Sequence, residues 1–201
     1  MSVQLIVFPQ SYDGQFNSLS TTANEFVVDG TSFNTINTSS SYDSSSSGNV
    51  ILDVLTNQPP SPINTWFRFR STSSGTPTLP TETTSNLTLY STTTLTFSGV
   101  YQKLSNLVVG TTYEMIIDLS TTGTGSVLTS AYNGTTLISQ PLHAANQSQI
   151  TFSWTAASTD DTIAISYFNG VVDNIVISNI SVSQQGITPT TIYTDLQDGQ
   201  V

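Results

Sequence analysis

The segment Thr65-Trp66-Phe67-Arg68-Phe69-Arg70 places two of the chain's three cations beside one of its two tryptophans. On an extended strand, side chains alternate between faces, so Trp66, Arg68 and Arg70 share one side and Phe67 and Phe69 the other. With the phenylalanines turned to a core, an indole face and two guanidinium forks point outward. An indole stacks on the C–H face of a sugar, and Arg offers paired hydrogen bonds to hydroxyl or carboxylate groups. Protein interfaces favour Trp and Arg just as strongly. Trp66, Arg68 and Arg70 are therefore candidates for glycan contact or for a subunit interface. An intramolecular role, with the arginines pairing off some of the acids, is the third reading. Calcium needs oxygen ligands, and Asp160-Asp161 and Asp173-Asn174 are the local oxygen-rich pairs. No Asp-x-Asp-x-Asp loop accompanies them, so Asp173 either belongs to a structural calcium site with Asn174 or caps a turn through backbone hydrogen bonds.

Catalytic parts are scarce. His143 is the single histidine and lies in the loop-like Pro141-Leu142-His143-Ala144-Ala145. No Gly-x-Ser-x-Gly elbow, phosphate loop or dinucleotide fingerprint occurs. Glu114 and Asp118, four residues apart on one strand, stand roughly 13 Å from each other, too far for either carboxylate geometry of glycoside hydrolysis. The expectation is a protein that is not an enzyme and carries no resident cofactor.

The wider composition restricts partners. Of 201 residues, 31 are Ser and 34 are Thr, while charged residues make up 8% and the net charge is −10. Helix surfaces need Glu, Lys, Arg and Ala; Thr favours strands. With three cations, the chain lacks the means to displace counterions from nucleic acid or to bind anionic lipid. No apolar run reaches the ~18 residues of a membrane span, and the opening residues have no basic stretch ahead of an apolar one, as a signal peptide would. Cysteine is absent, which removes disulfides, thiolate chemistry and Cys-based metal sites.

Short apolar or alternating segments between turn signals predict strands throughout. Val3–Phe8, Val50–Leu55, Ile63–Arg70, Leu87–Tyr90 and Leu95–Leu104 read as strands in the first half. Residues 38–48 and 71–85 read as flexible polar loops. In the second half Tyr113, Met115, Ile117 and Leu119 fall on one face, and Ile150, Phe152 and Trp154 on another. Asn133-Gly134 is a hairpin turn. Gly110 suits a positive φ, and Tyr113, in phase with its apolar neighbours, reads as a core ring with a hydrogen-bonded hydroxyl. About ten or more strands in an all-β, two-layer antiparallel sandwich are expected. The predicted division is an N-terminal strand and connecting arm at 1–24, the sandwich at 25–183, and at 184–201 a linker with the start of a following domain or a subunit-contacting tail.

Residues 95–182 resemble the jelly-roll carbohydrate-binding modules of the family 4/9/22 type, especially the versions in tailed-bacteriophage virion proteins. The matching stretches are Gly99-Val100-Tyr101-Gln102-Lys103-Leu104, Leu107-Val108-Val109-Gly110-Thr111-Thr112-Tyr113, the turn at 123–125, the strand ending in Trp154, and Tyr167 to Ile175. The resemblance implies a jelly roll, and a structural calcium near Asp173, where that family carries its own Asp. It also implies a non-catalytic structural or adhesion module of a virion tail, fibre or capsid appendage, made in a host cytoplasm. Its partners would be other virion proteins, copies of itself and cell-surface polysaccharide. The alternative is an autonomous carbohydrate-binding module.

Overall fold

The computed structural model describes residues 3–7, 26–28, 36–44, 46, 49–57, 66–72, 78–83, 86–91, 97–168, 172–185 and 190–194. In chain order the elements are β1 (Val3–Val7), β2 (Phe26–Val28), β3 (Ile36–Ser44), α1 (Val50–Asn57), β4 (Trp66–Ser71), β5 (Thr81–Glu82), β6 (Leu87–Ser91) and β7 (Phe97–Lys103). Then follow β8 (Thr112–Thr121), β9 (Ser126–Asn133), β10 (Thr136–Ser139), β11 (Leu142–Ala144), β12 (Gln149–Thr155), β13 (Thr162–Phe168), β14 (Asp173–Gln184) and β15 (Thr190–Thr194).

Two sheets form the body of a jelly-roll sandwich. The first runs β10-β9-β13-β7-β4-β3, with β11 also on β9; the second runs β12-β8-β14-β6-β5, with β2 on β14. Pairing is antiparallel except between β3 and β4, which run parallel. A separate two-stranded sheet joins β1 to β15, Val3 opposite Thr194 and Val7 opposite Thr190.

The core between the sheets is built by strand alternation. β8 contributes Tyr113, Met115, Ile117 and Leu119; β12 contributes Ile150, Phe152 and Trp154; β14 contributes Ile175, Ile177, Ile180 and Val182. Facing them from the first sheet are Trp66, Val100, Val127, Ala131, Ile163, Ile165 and Tyr167. The Tyr113 and Trp154 rings stack at 5.8 Å and those of Phe152 and Trp154 at 5.6 Å. Stacked rings add to the burial energy of each. The Tyr113 hydroxyl accepts the Val108 N–H at 2.9 Å, as expected of a buried phenol. Gly110 has φ +83° and Gly134 φ +58°, so both turns use the left-handed conformation that glycine adopts without strain.

A second apolar cluster lies on the other side of the first sheet. There Val50, Ile51 and Val54 of α1 pack on Phe69, Tyr101, Tyr132 and Ala164. This corrects the strand expected over Val50–Leu55. Asn49 caps a helix, its Oδ1 accepting the Leu52 N–H at 3.0 Å, and Val50, Ile51, Val54 and Leu55 recur at helical spacing on one side. A six-residue run with five apolar positions satisfies either period, and the cap decides it. The polar loop expected over 38–48 also gives way in part, because residues 36–44 form β3. That serine-rich edge strand is tied to β4 by Arg70, which donates to Asp43 at 2.8 and 2.9 Å. The Thr72 N–H bonds the Ser44 carbonyl at 2.7 Å. The loop expected over 71–85 holds the short strand β5.

On β12 the outer-facing residues are exposed and Ile150, Phe152 and Trp154 are buried. Phe152→Ala is therefore expected to lower unfolding free energy by about 3–5 kcal/mol. Thr151→Ala, one residue away on the opposite face, should change it by less than about 0.5 kcal/mol. Urea denaturation of the two variants checks the register; equal losses would mean the strand is not buried as described.

Candidate functional site

The Trp66–Arg70 strand is used the other way round from the sequence expectation. Trp66 is 3% exposed and belongs to the inter-sheet core, so its ring is not an outward stacking platform. Phe69 and Phe67 face outward and are covered by α1. The reason is that the first sheet is buried on both sides, so neither face of β4 is free for a binding row. Arg68, sharing the Trp66 face, crosses the mouth of the sandwich to the Pro80 carbonyl at 3.2 Å and lies 3.9 Å from Glu82. Arg70 is held by both oxygens of Asp43. That hydrogen-bonded pair, opposed by partial desolvation, holds the Asp43 carboxyl below its ordinary value and raises Arg70. Both arginines thus close the chain on itself, which is the intramolecular reading. Trp66→Ala should cost about 3–5 kcal/mol of stability, measurable by denaturation, whereas removal of a surface stacking residue would leave the melting curve in place.

Asp173 and Asn174 open β14. Asp173 Oδ2 accepts the Thr124 N–H at 2.8 Å, the Thr124 hydroxyl at 3.1 Å and the Tyr167 hydroxyl at 3.0 Å. Its Oδ1 accepts the Asn174 N–H at 2.7 Å. Four donors already aim at this carboxylate, and a cation approaching either oxygen would meet their hydrogens. Among the described residues no group of three or more His, Asp or Glu side chains converges on one point. The residues do not fit a calcium site of the implied kind; they form a cap that fixes the 123–125 turn. Gly123 sits so close that a Cβ there would run into the Tyr167 hydroxyl and the Asp173 carboxylate. Burial raises the Asp173 pKa, but the hydrogen bonds from Thr124, Asn174 and Tyr167 outweigh it and hold the group below 3.8.

A carboxylate with a depressed folded pKa stabilises the native state above its unfolded pKa, and that stabilisation disappears as pH falls through the folded value. The difference in unfolding free energy between the wild type and Asp173→Asn should therefore be constant from neutral pH down to about 4, then shrink on further acidification. Denaturation curves across pH 2–7 test this; a difference independent of pH would remove the cap from the account.

The other candidate chemistry is also accounted for by internal bonds. His143 lies on the edge strand β11, with Nε2 2.9 Å from the Thr129 hydroxyl; burial holds its pKa below 6.5, so the ring is neutral at pH 7. Asp161 is buried and caps residues 157 and 158 with bonds of 3.0 Å each. Asp160 pairs with Lys103. Asp118 is bonded by Gln149 at 2.7 Å and Asn179 at 2.9 Å, and Glu114 accepts from Gln185.

The sequence reading missed the outer face of the first sheet. Rings of Phe67 on β4 and Tyr101 on β7 stack there at 5.6 Å, with Phe69 6.3 Å from Tyr101. Tyr42 on β3 stands at one side and Tyr132 on β9 at the other. Between them the floor is small: Gly99, Ala164 and Ser166. A Cβ on Gly99 would lie 2.5 Å from the tip of Phe69 and 2.8 Å from the Ser166 Cβ. Polar groups fringe the rings. The Asn49 amide donates to the Tyr132 hydroxyl at 3.3 Å, and Gln140 donates to Ser130 at 3.0 Å and to Tyr132 at 3.3 Å. Asp53 of α1 accepts from Tyr42 at 3.2 Å and Ser44 at 2.6 Å. Burial pushes the Tyr101 hydroxyl up to about 12 and raises Tyr132, so both phenols stay protonated. Beyond Tyr132 the face opens: Leu137 is 47% and Leu142 58% exposed, beside half-buried Leu128. Phe67, Tyr101 and Tyr132 alternate with buried residues on their own strands, the one sequence signal of a second covered face.

No protein-family model and no curated protein matches the chain. Among solved structures it is similar to one described as "CBM4 structure and function", at 15% identity over 60% of this chain and 86% of that one, with a TM-score of 0.42. It is also similar to the CBM22-1–GH10 modules of Clostridium thermocellum endo-1,4-beta-D-xylanase 10B complexed with xylohexaose, at 17% identity over 53% of this chain and a TM-score of 0.36. A third is the enzymatically active domain of bacteriophage CBA120 tailspike protein 4, at 11% identity over 66% of this chain and a TM-score of 0.42. The chain spans 23% of the xylanase and 22% of the tailspike.

Proposed function

We propose that the chain is a non-catalytic carbohydrate-binding module whose ligand lies along the outer face of the first sheet. The observation that carries this is the open end of that face, where Leu137 and Leu142 stand exposed beside half-buried Leu128 and the Gln140 amide. A saccharide presents apolar C–H faces and hydroxyls together, and apolar side chains next to an amide suit both. The open part of the face offers Gln140, with Leu128, Leu137 and Leu142 supplying apolar contact. Because Gln140 is uncharged, the interaction suits neutral sugars and is insensitive to salt. The internally bonded carboxylates support binding without bond cleavage.

The place in a phage virion expected from the sequence, with other virion proteins and copies of the chain as partners, remains a further proposal. Its supports are the absent cysteines and the sequence resemblance; the outer face supports the polysaccharide contact within it.

A neutral-glycan microarray followed by calorimetry with cellohexaose and xylohexaose tests the reading. Binding is expected, and Gln140→Ala should weaken it by about tenfold, the equivalent of one lost hydrogen-bonding group. Because Gln140 also donates to buried Ser130 and Tyr132, the variant should lose about 1–3 kcal/mol of stability, so the two proteins are compared at a temperature where both are folded. No binding across the array, or binding untouched by Gln140→Ala and Leu142→Asp, would overturn it.

A further inference from the structure

We propose that β12 is an association edge, through which two copies of the chain join their second sheets about a two-fold axis. The edge belongs to the second sheet and does not depend on the saccharide reading, which concerns the first. It gives the contact between copies a definite surface. Three observations carry it.

The first is that β12, among the described residues, is the one edge strand with nothing to discourage pairing. Edge strands present unpaired N–H and C=O groups, and proteins ordinarily blunt them with charge, proline, bulges or brevity. In the first sheet β10 and β11 have four and three residues, β10 with a break in register. At the other edge β3 carries the charged Asp43 and a break of its own. In the second sheet β2 and β5 have three and two residues, and β5 ends on Glu82. β12 runs for seven residues, Gln149–Thr155, without charge or proline and in unbroken register with β8.

The second is where its free backbone groups point. β12 pairs with β8 alone. The Leu119 N–H bonds the Ser148 carbonyl at 2.8 Å, and the Ala156 N–H bonds the Thr111 carbonyl at 2.9 Å. Bonded pairs alternate along an antiparallel ladder, so residues 150, 152 and 154 complete the ladder to β8. The N–H and C=O groups of Gln149, Thr151, Ser153 and Thr155 therefore point away from it, and all four residues are exposed.

The third is that the strand matches itself. Antiparallel pairing over its full length with a second copy puts the two-fold axis at Phe152. Thr151 then lies opposite the partner's Ser153 and Gln149 opposite the partner's Thr155, each a doubly hydrogen-bonded pair of uncharged polar residues. On the inner face Phe152 meets the partner's Phe152, and Ile150 meets the partner's Trp154. Each copy carries a net charge of −10, but β12 itself is neutral. Its nearest acids, Glu114 and Asp118, lie on β8 opposite Ser153 and Gln149. Three strand spacings, roughly 14 Å, would separate them from the partner's β8, beyond the screening length of about 8 Å in physiological salt. A self-matching patch of this kind closes a pair and does not propagate a fibre.

Sedimentation equilibrium of the full chain from about 5 to about 500 μM, with NMR-detected amide exchange and no saccharide present, tests the proposal. The wild type should pass from monomer to dimer across this range, and more readily in about 500 mM than in about 50 mM NaCl, because salt screens the like charges. The Thr151 and Ser153 amides should exchange at least about tenfold more slowly in the concentrated sample. Thr151→Asp/Ser153→Asp sets carboxylates opposite each other and should weaken association at least about tenfold. Thr151→Lys/Ser153→Asp sets Lys against Asp at the same positions and should restore it. A monomer throughout, equal association of all three proteins, or association that weakens with salt would overturn the proposal. So would a dimer whose Thr151 and Ser153 amides exchange as fast as in the monomer, a result that requires no variant to fold. None of these outcomes bears on the saccharide reading.

Discussion

The structure turns on an inequality between its two sheets: the second is buried on one face and the first on both. A sheet with one wet face permits any small polar residue at every other position. A sheet covered twice must offer apolar or hydrogen-bonded groups at consecutive positions. β12, Gln-Ile-Thr-Phe-Ser-Trp-Thr, and β8 with its alternating buried residues belong to the first kind. β13 is buried from Thr162 through Tyr167 without interruption, and β4 alternates bulky residues that are used on both sides. The helix over the outer face follows from this. Without it Phe69, Tyr101 and Tyr132 would form an exposed aromatic patch of the kind that invites aggregation or binding.

The same inequality explains which parts of the fold were legible. The second-half strands could be placed from period-2 alternation, since one wet face leaves a clean pattern, and Tyr113, Trp154 and Gly110 took the roles their positions imply. The reading failed where two buried faces erase the alternation. It put Phe67 and Phe69 in the single core it assumed and turned Trp66, Arg68 and Arg70 outward. The helix was missed because Val50 and Ile51 favour strands by type, and Asn49, an easily overlooked cap, argues otherwise. β3 was missed because serine carries almost no strand preference; what orders it is the pairing of Asp43 with Arg70, residues 27 positions apart. The outer face could not be assembled from sequence at all, since its rings come from β3, β4, β7 and β9.

Charge follows a related logic. A chain with 13 acids and 3 bases cannot neutralise itself by ion pairs. Arg68, Arg70 and Lys103 are each committed to one acid, leaving the other described carboxylates to neutral donors: backbone amides at Asp161 and Asp173, side-chain amides at Glu114 and Asp118, hydroxyls at Asp53. An N–H or O–H directed at a carboxylate stabilises its charged form. At Asp173 the donors hold the carboxyl below its ordinary value and occupy the directions from which a cation would approach. This is why Asp173, the residue whose type and place suggested calcium, serves as a turn cap.

The hydroxyl-rich composition then acquires a spatial meaning. On the second sheet's outer face Thr112, Thr151, Ser153 and Thr155 are surrounded by water or by one another, and a saccharide hydroxyl there would exchange one water-like partner for another with little gain. The first sheet's outer face differs because its polar groups are desolvated. Tyr132 is buried and shared by Asn49 and Gln140, and Ser166 is sealed beneath Phe69. Hydrogen bonds made in such surroundings are stronger, and leaving them unmade is more costly. In a protein a third of whose side chains carry a hydroxyl, the energetically consequential ones are the few that are dry.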